Sequence, residues 1–137
     1  MYRSHRNLKR YRDEYNFDYL MLATQGYQES QLNQHNRSPK GAVGIMQLLP
    51  STAASQPIRI IGAEKNPELN IKAGARYLKY LRDAYINQPE VSERNRTLMA
   101  FAAYNAGPGN LHAFRQYAKE HRLNPNIWFN NVELGAA

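Results

Sequence analysis

The sequence predicts an all-α domain, and three observations carry that prediction. Apolar residues recur at helical spacing along most of the chain, and no strand-like alternation lasts long enough to build a sheet. One long turn-rich stretch, residues 31–50, interrupts the helices. Taken in order, residues 7–15 read as a short basic helix. Asp18 is a good N-cap for a second helix running through Leu20, Ala23 and Tyr27 to the neighbourhood of Ser30. Asn33, Asn36, Pro39, Gly41, Gly44 and Pro50 then mark the loop, and a loop of that length inside one domain is more often functional than idle. Ser51 is expected to cap a short helical turn after Pro50, and residues 57–67 read as irregular.

The strongest helix is expected to be capped by Asn70, with Ile71, Gly74, Leu78, Leu81 and Tyr85 on one stripe and Asn87-Gln88-Pro89 ending it. Ser92 opens the next, whose apolar members include Leu98, Phe101 and Ala102. The run Asn105-Ala106-Gly107-Pro108-Gly109 stops it, with glycine at the end and proline just beyond. Leu111, Phe114, Tyr117 and Ala118 define a further helix. Asn124-Pro125 is expected to start a last one carrying Trp128, Phe129, Val132 and Leu134. The reading is one domain of about six helices, with no internal repeat.

At 137 residues the chain falls within the size range of one domain, long enough to hold a core without staples. Cysteine is absent, which removes a disulfide framework, a thiol nucleophile and thiolate-ligated zinc. His5, His35, His112 and His121 show no paired ligand spacing, so no metal site is expected. No stretch approaches the roughly 18 apolar residues of a membrane span. The start, Met1-Tyr2-Arg3-Ser4-His5-Arg6, has charge with no apolar run behind it and does not read as a signal peptide. The net charge of +7 favours an anionic partner. Arg3, Arg6, Lys9, Arg10 and Arg12 raise nucleic acid as one candidate, but no nucleic-acid motif accompanies them, and none is expected as a partner.

Among the eleven acidic residues, most have ordinary settings. Asp13 and Glu14 sit among Lys9, Arg10 and Arg12, Asp18 is used as a cap, and Asp83 points away from the apolar stripe of its helix. Glu29 differs. It shares a helix face with Leu22 and Gly26 and lies near the C-terminal end of that helix, where the macrodipole disfavours a carboxylate. Partial burial would also favour the protonated form, which is what a general acid needs. A surface glutamate, or a buried one paired with a lysine, is the alternative that position alone leaves open. Two further clusters stand out. Residues 38–47 contain Gly41 and Gly44, where backbone can approach a ligand, although a plain surface loop would read the same. Tyr104 and Asn105, at a helix end, have the ring and amide chemistry of a sugar site, and equally suit a helix terminus with a core tyrosine.

Four blocks in order resemble the catalytic domain of lytic transglycosylases, of the soluble lytic transglycosylase type with a lysozyme-like fold. They are Gln28-Glu29-Ser30; residues 38–47 with Pro50-Ser51-Thr52-Ala53; Asn70-Ile71 to Gly74 with Tyr77-Leu78; and residues 103–109. The resemblance spans about residues 15 to 134, leaving residues 1–14 as a basic N-terminal helix or extension before a catalytic domain at 15–137. It implies that Glu29 is the single catalytic acid/base. It further implies that Ser38, Gln47 and the flanking Met46 bind substrate, that Tyr104 is the tyrosine beside the catalytic glutamate with Asn105 in support, and that Glu133 lies on the substrate cleft. The family usually continues with an aromatic-rich closing helix. The expectation is therefore a domain cut from a longer chain and truncated at its C-terminus.

The implied reaction is non-hydrolytic cleavage of the β-1,4 bond between N-acetylmuramic acid and N-acetylglucosamine, leaving 1,6-anhydro ends. The implied partner is the peptidoglycan glycan strand, met by a monomer that needs no cofactor. Periplasmic or envelope localisation follows from that substrate, with any membrane link expected only through an upstream segment. A hydrolytic muramidase on the same fold and a non-catalytic peptidoglycan-binding module are the alternatives.

Overall fold

Prolines and short polar caps decide where the helices begin. The computed structural model describes residues 34, 35, 37–39, 42–44 and 46–137. The helices expected at residues 7–15 and 18–30, and Glu29 with them, lie outside that set. Helix α1 is Pro50–Ala54, α2 is Pro67–Tyr85, α3 is Glu93–Ala106 and α4 is Pro108–Glu120; a 3₁₀ helix, Val132–Ala136, follows. Among the described residues there is no strand, only isolated bridges pairing Arg37 with Val43 and Val43 with Leu48. The fold is all-α, as its periodicity predicts. The described residues fall into two units that divide after Tyr77.

In the first unit, two expected caps move. Ser51 lies inside α1, because Pro50 takes the first helical position and Leu49 precedes it with no side-chain cap. Proline has no N–H to satisfy there and its fixed φ suits that position. Asn70 likewise lies within α2. Its place as cap is taken by Asn66, whose Oδ1 accepts from the N–H groups of Glu68 (2.8 Å) and Leu69 (3.2 Å), with Pro67 just inside the helix. Ile71, Ala73 and Ala75 are buried along α2, and the core continues through Val43, Met46, Leu48, Ala53, Ile58, Ile60 and Ala63. Arg76 reaches from α2 to the irregular connection, donating from Nη1 to the Ile58 carbonyl at 3.0 Å.

In the second unit, Leu78 and Leu81 on α2 are fully buried. Tyr85, expected on the same stripe, is exposed, and Ile86, one residue beyond the helix end, takes the inward position instead. Ser92 caps α3 as expected, its hydroxyl accepting from the Asn95 N–H. The same Asn95 then accepts from the Trp128 N–H at 2.9 Å, tying the start of α3 to the turn after α4. Met99, Ala100, Phe101 and Ala103 are all buried, so the C-terminal half of α3 is enclosed around most of its circumference. Gly107 ends α3, and Pro108 begins α4 at once. Leu111 and Ala118 bury the inner face of α4.

The helix expected from Asn124-Pro125 does not form. Turns and irregular backbone occupy residues 121–131, and only the short 3₁₀ helix follows. The reason is a set of asparagines whose side chains bond nearby backbone in place of helical partners. Asn124 Oδ1 accepts from the Asn126 N–H at 2.8 Å, and Asn131 Oδ1 accepts from the Asn124 N–H at 2.9 Å. Asn130 adopts φ of 61°, which no α-helix contains. Val132 is buried as an apolar anchor, but Phe129 and Leu134 are exposed.

Candidate active site

The loop predicted to bind substrate is held by one buried amide. Asn70 has no exposed surface, and its side chain makes three bonds to the loop and to the connection below it. Its Oδ1 accepts from the Met46 N–H at 2.7 Å, while its Nδ2 donates to the carbonyls of Val43 (2.8 Å) and Ala63 (3.2 Å). Val43 and Leu48 exchange both backbone bonds, at 3.0 and 3.2 Å, which closes the loop into a tight turn. The turn passes through Gly44 at φ of 80°, and a Cβ there would fall on the Asn70 amide and on Gln34. Glycine is therefore required twice over, by conformation and by space. Gln34 donates to the Ala63 carbonyl at 3.1 Å, and Arg37 donates to the Glu64 carbonyl at 3.1 Å, so the start of the loop is fastened to the same connection.

Ser38, Met46 and Gln47 are brought together on this loop, and each has a defined place. The Ser38 Oγ accepts from the Ala42 N–H at 3.0 Å and the Ser38 N–H donates to the Ala42 carbonyl at 2.9 Å. That fixes the serine while leaving its hydroxyl hydrogen uncommitted by the pair. Gln47 sits at φ of 48°, the left-handed region, with its Nε2 donating to the Gly44 carbonyl at 2.9 Å. Met46 is fully buried. Its side chain seats on Gly74 of α2, where a Cβ would come within 2.7 Å of Met46 Cγ and 2.9 Å of its Cβ. Met46 thus acts on the loop from below, as a core knob, and offers no surface to a ligand.

Tyr104 and Asn105 occupy the last turn of α3, the tyrosine half-buried and the asparagine exposed. Glu133 lies in the 3₁₀ helix, where its Oε1 accepts from the Asn130 N–H at 2.7 Å and closes its own turn. Glu29 lies outside the described residues. Among the described residues, no three His, Asp or Glu side chains gather as a metal site.

The residue that sequence reasoning misplaced is Asn70. The signal was present: it shares a helix face with Gly74 and Leu78, so a polar side chain lies on an apolar stripe. Read as a cap, it hides this role; read as a buried amide, it must find partners, and the loop supplies them.

The chain matches the family model of the transglycosylase SLT domain over residues 6–127, and it belongs to that family. The matched span takes in Glu29, Ser38, Met46, Gln47, Tyr104 and Asn105, and ends short of Glu133. Curated relatives carry the name membrane-bound lytic murein transglycosylase F. The protein of Thiobacillus denitrificans is 40% identical over 111 residues, covering 81% of this chain and 23% of the relative. That of Pseudomonas fluorescens strain Pf-5 is 36% identical over 111 residues, covering 81% and 22%. That of Shewanella loihica is 37% identical over 127 residues, covering 88% and 25%. The chain therefore spans about a quarter of the length of these relatives.

Proposed function

We propose that this chain is the catalytic domain of a peptidoglycan lytic transglycosylase. Its substrate is the β-1,4 bond between N-acetylmuramic acid and N-acetylglucosamine, and its product is a 1,6-anhydro-N-acetylmuramic acid end. The observation that carries the reading is membership of the SLT family across every motif block up to Asn105, with Glu29 inside the matched span. The names of the relatives, which specify murein transglycosylases, support the substrate class.

Most glycosidases divide acid and base work between two carboxylates, about 5 to 9.5 Å apart. One suffices here because the substrate supplies the other groups. Protonated Glu29 gives its proton to the glycosidic oxygen as the bond to the anomeric carbon breaks. The 2-acetamido group of the muramic acid stabilises the cationic centre. The Glu29 carboxylate then takes the proton of the sugar's own 6-hydroxyl, whose oxygen bonds the anomeric carbon. The proton count returns to its start and no water enters. Ser38 and Gln47 orient the sugar, Tyr104 and Asn105 contact it, and Met46 holds the loop that carries Ser38 and Gln47. Glu133 is assigned to the substrate cleft from the resemblance alone, since its carboxylate closes a local turn.

Residues 15–137 form the catalytic domain in this reading and residues 1–14 a basic extension. The protein works as a monomer in the cell envelope. The relatives' names, which call them membrane-bound, support that location. Among the described residues no helix is long and apolar enough to cross a membrane. Glu29→Gln tests the assignment of the acid. The variant is expected to lose at least about 1000-fold in release of anhydro-muropeptides, the scale of removing an acid that serves twice. It should keep its binding to sacculi and its circular dichroism spectrum. A variant that still releases anhydro products would remove Glu29 from the mechanism.

A further inference from the structure

An open pocket of about 320 Å³, lined mostly by polar and basic residues, lies in the second unit, apart from every residue given a catalytic or binding role above. Its size falls at the lower end of small-ligand sites. One wall is a single face of α4: His112, Arg115, Gln116 and Lys119 follow at intervals of three, one and three, so all four point the same way. Gln88 and the Pro125–Asn126 turn form the other wall. Among the described residues no carboxylate lines it, and the Glu90 charge reaches Arg115.

The hydrogen bonding makes this a cavity of donors. Arg115 Nη1 donates to Gln88 Oε1 at 3.1 Å and Nη2 donates to Asn126 Oδ1 at 3.0 Å, while Nε holds the Pro125 carbonyl at 2.8 Å. Because a guanidinium can only donate, it orients both amides with their oxygens toward itself. That leaves the NH₂ groups of Gln88 and Asn126, a second hydrogen on each Nη of Arg115, and the Lys119 ammonium as donors. Burial of Arg115 pushes its pKa down, opposed by the Glu90 charge, so an anion in the cavity would relieve that cost.

We propose that this cavity binds a carboxylate of the peptide stems that cross-link the wall polymer, anchoring the domain on peptide-bearing strands. This rests on the substrate proposed above. Planar carboxylates suit a forked guanidinium beside two amide donors.

The test is a titration followed by NMR, using stem peptides freed from peptidoglycan in one arm and inorganic phosphate in the other. Neither arm involves cleavage, so failure here is separate from failure of the proposed reaction. Arg115 holds the 125–126 turn, so the variant of choice is Lys119→Glu, at an exposed site, with Lys65→Glu as a control of equal charge change. Stem peptide is expected to shift the side-chain amide signals of Gln88 and Asn126 saturably. Lys119→Glu should weaken that binding about tenfold, the scale of reversing one contacting charge, and Lys65→Glu should leave it unchanged. No saturable shift, equal binding by Lys119→Glu, equal weakening by Lys65→Glu, or tighter binding of phosphate than of peptide would each overturn the proposal.

Discussion

Asn70 shows how one side chain can serve a site it does not enter. Its amide meets one donor and two acceptors of the backbone, and those partners are unequal. The Val43 carbonyl also accepts from Leu48, and the Ala63 carbonyl also accepts from Gln34, while the Met46 N–H meets Asn70 Oδ1 in the shortest of the three bonds, 2.7 Å. Truncation therefore removes three buried hydrogen bonds at once and opens a small void beneath the loop. Asn70→Ala is expected to lower stability by about 1–3 kcal/mol, read from the shift in urea midpoint. Asn70→Asp should not rescue it at neutral pH: the acceptor is kept, but the second oxygen would face two carbonyls. An aspartate variant as stable as the parent would contradict the donor role. Gly74 belongs to the same arrangement, since any side chain there would push Met46 out from under the loop.

At the scale of elements, some helix boundaries were legible and others were not: Ser92 and Gly107 stand where expected, whereas Ser51, Asn70 and Asn124 begin no helix. Ser92 and the Gly107-Pro108 junction were legible because serine and glycine are chemically suited to those positions. The end of α4 was not, because no glycine marks it. The Leu123 N–H reaches the Ala118 carbonyl at 2.8 Å and the Arg122 N–H reaches the Lys119 carbonyl at 3.3 Å, the paired bonds of a Schellman ending. Arg122 supplies the left-handed residue at φ of 59°. An L-residue there costs about 1–2 kcal/mol, against about 0.5–1 kcal/mol of backbone entropy for glycine. Arg122→Gly is thus expected to stabilise the protein by about 1 kcal/mol and raise Tm by about 4 °C in calorimetry. A fall in Tm would show that the arginine side chain contributes more than its backbone strain. The asparagine-rich turn after α4 was misread for a related reason: Trp128, Phe129, Val132 and Leu134 have helical spacing, but Asn124 and Asn131 outcompete the helix locally.

For the whole molecule, the class was readable because periodicity survives averaging over many residues, and the motif blocks were readable because their order constrains more than any one of them. What the sequence could not supply was the division of labour inside a block. Met46 and Gln47 are neighbours on one loop, yet one is a core knob and the other a left-handed turn residue, and only the backbone path separates those fates. The +7 charge gains a chemical meaning in the same way. It favours an anionic partner, and under the peptide-carboxylate proposal Arg115 and Lys119 are where part of it acts. The central claim is that a glutamate and the substrate's own hydroxyl replace water. Digestion of purified sacculi in water enriched in oxygen-18, followed by mass spectrometry of the released fragments, measures this directly. The account predicts anhydro ends carrying no heavy oxygen. Reducing ends with one heavy oxygen per cleavage would contradict it, and would make the domain a hydrolytic muramidase.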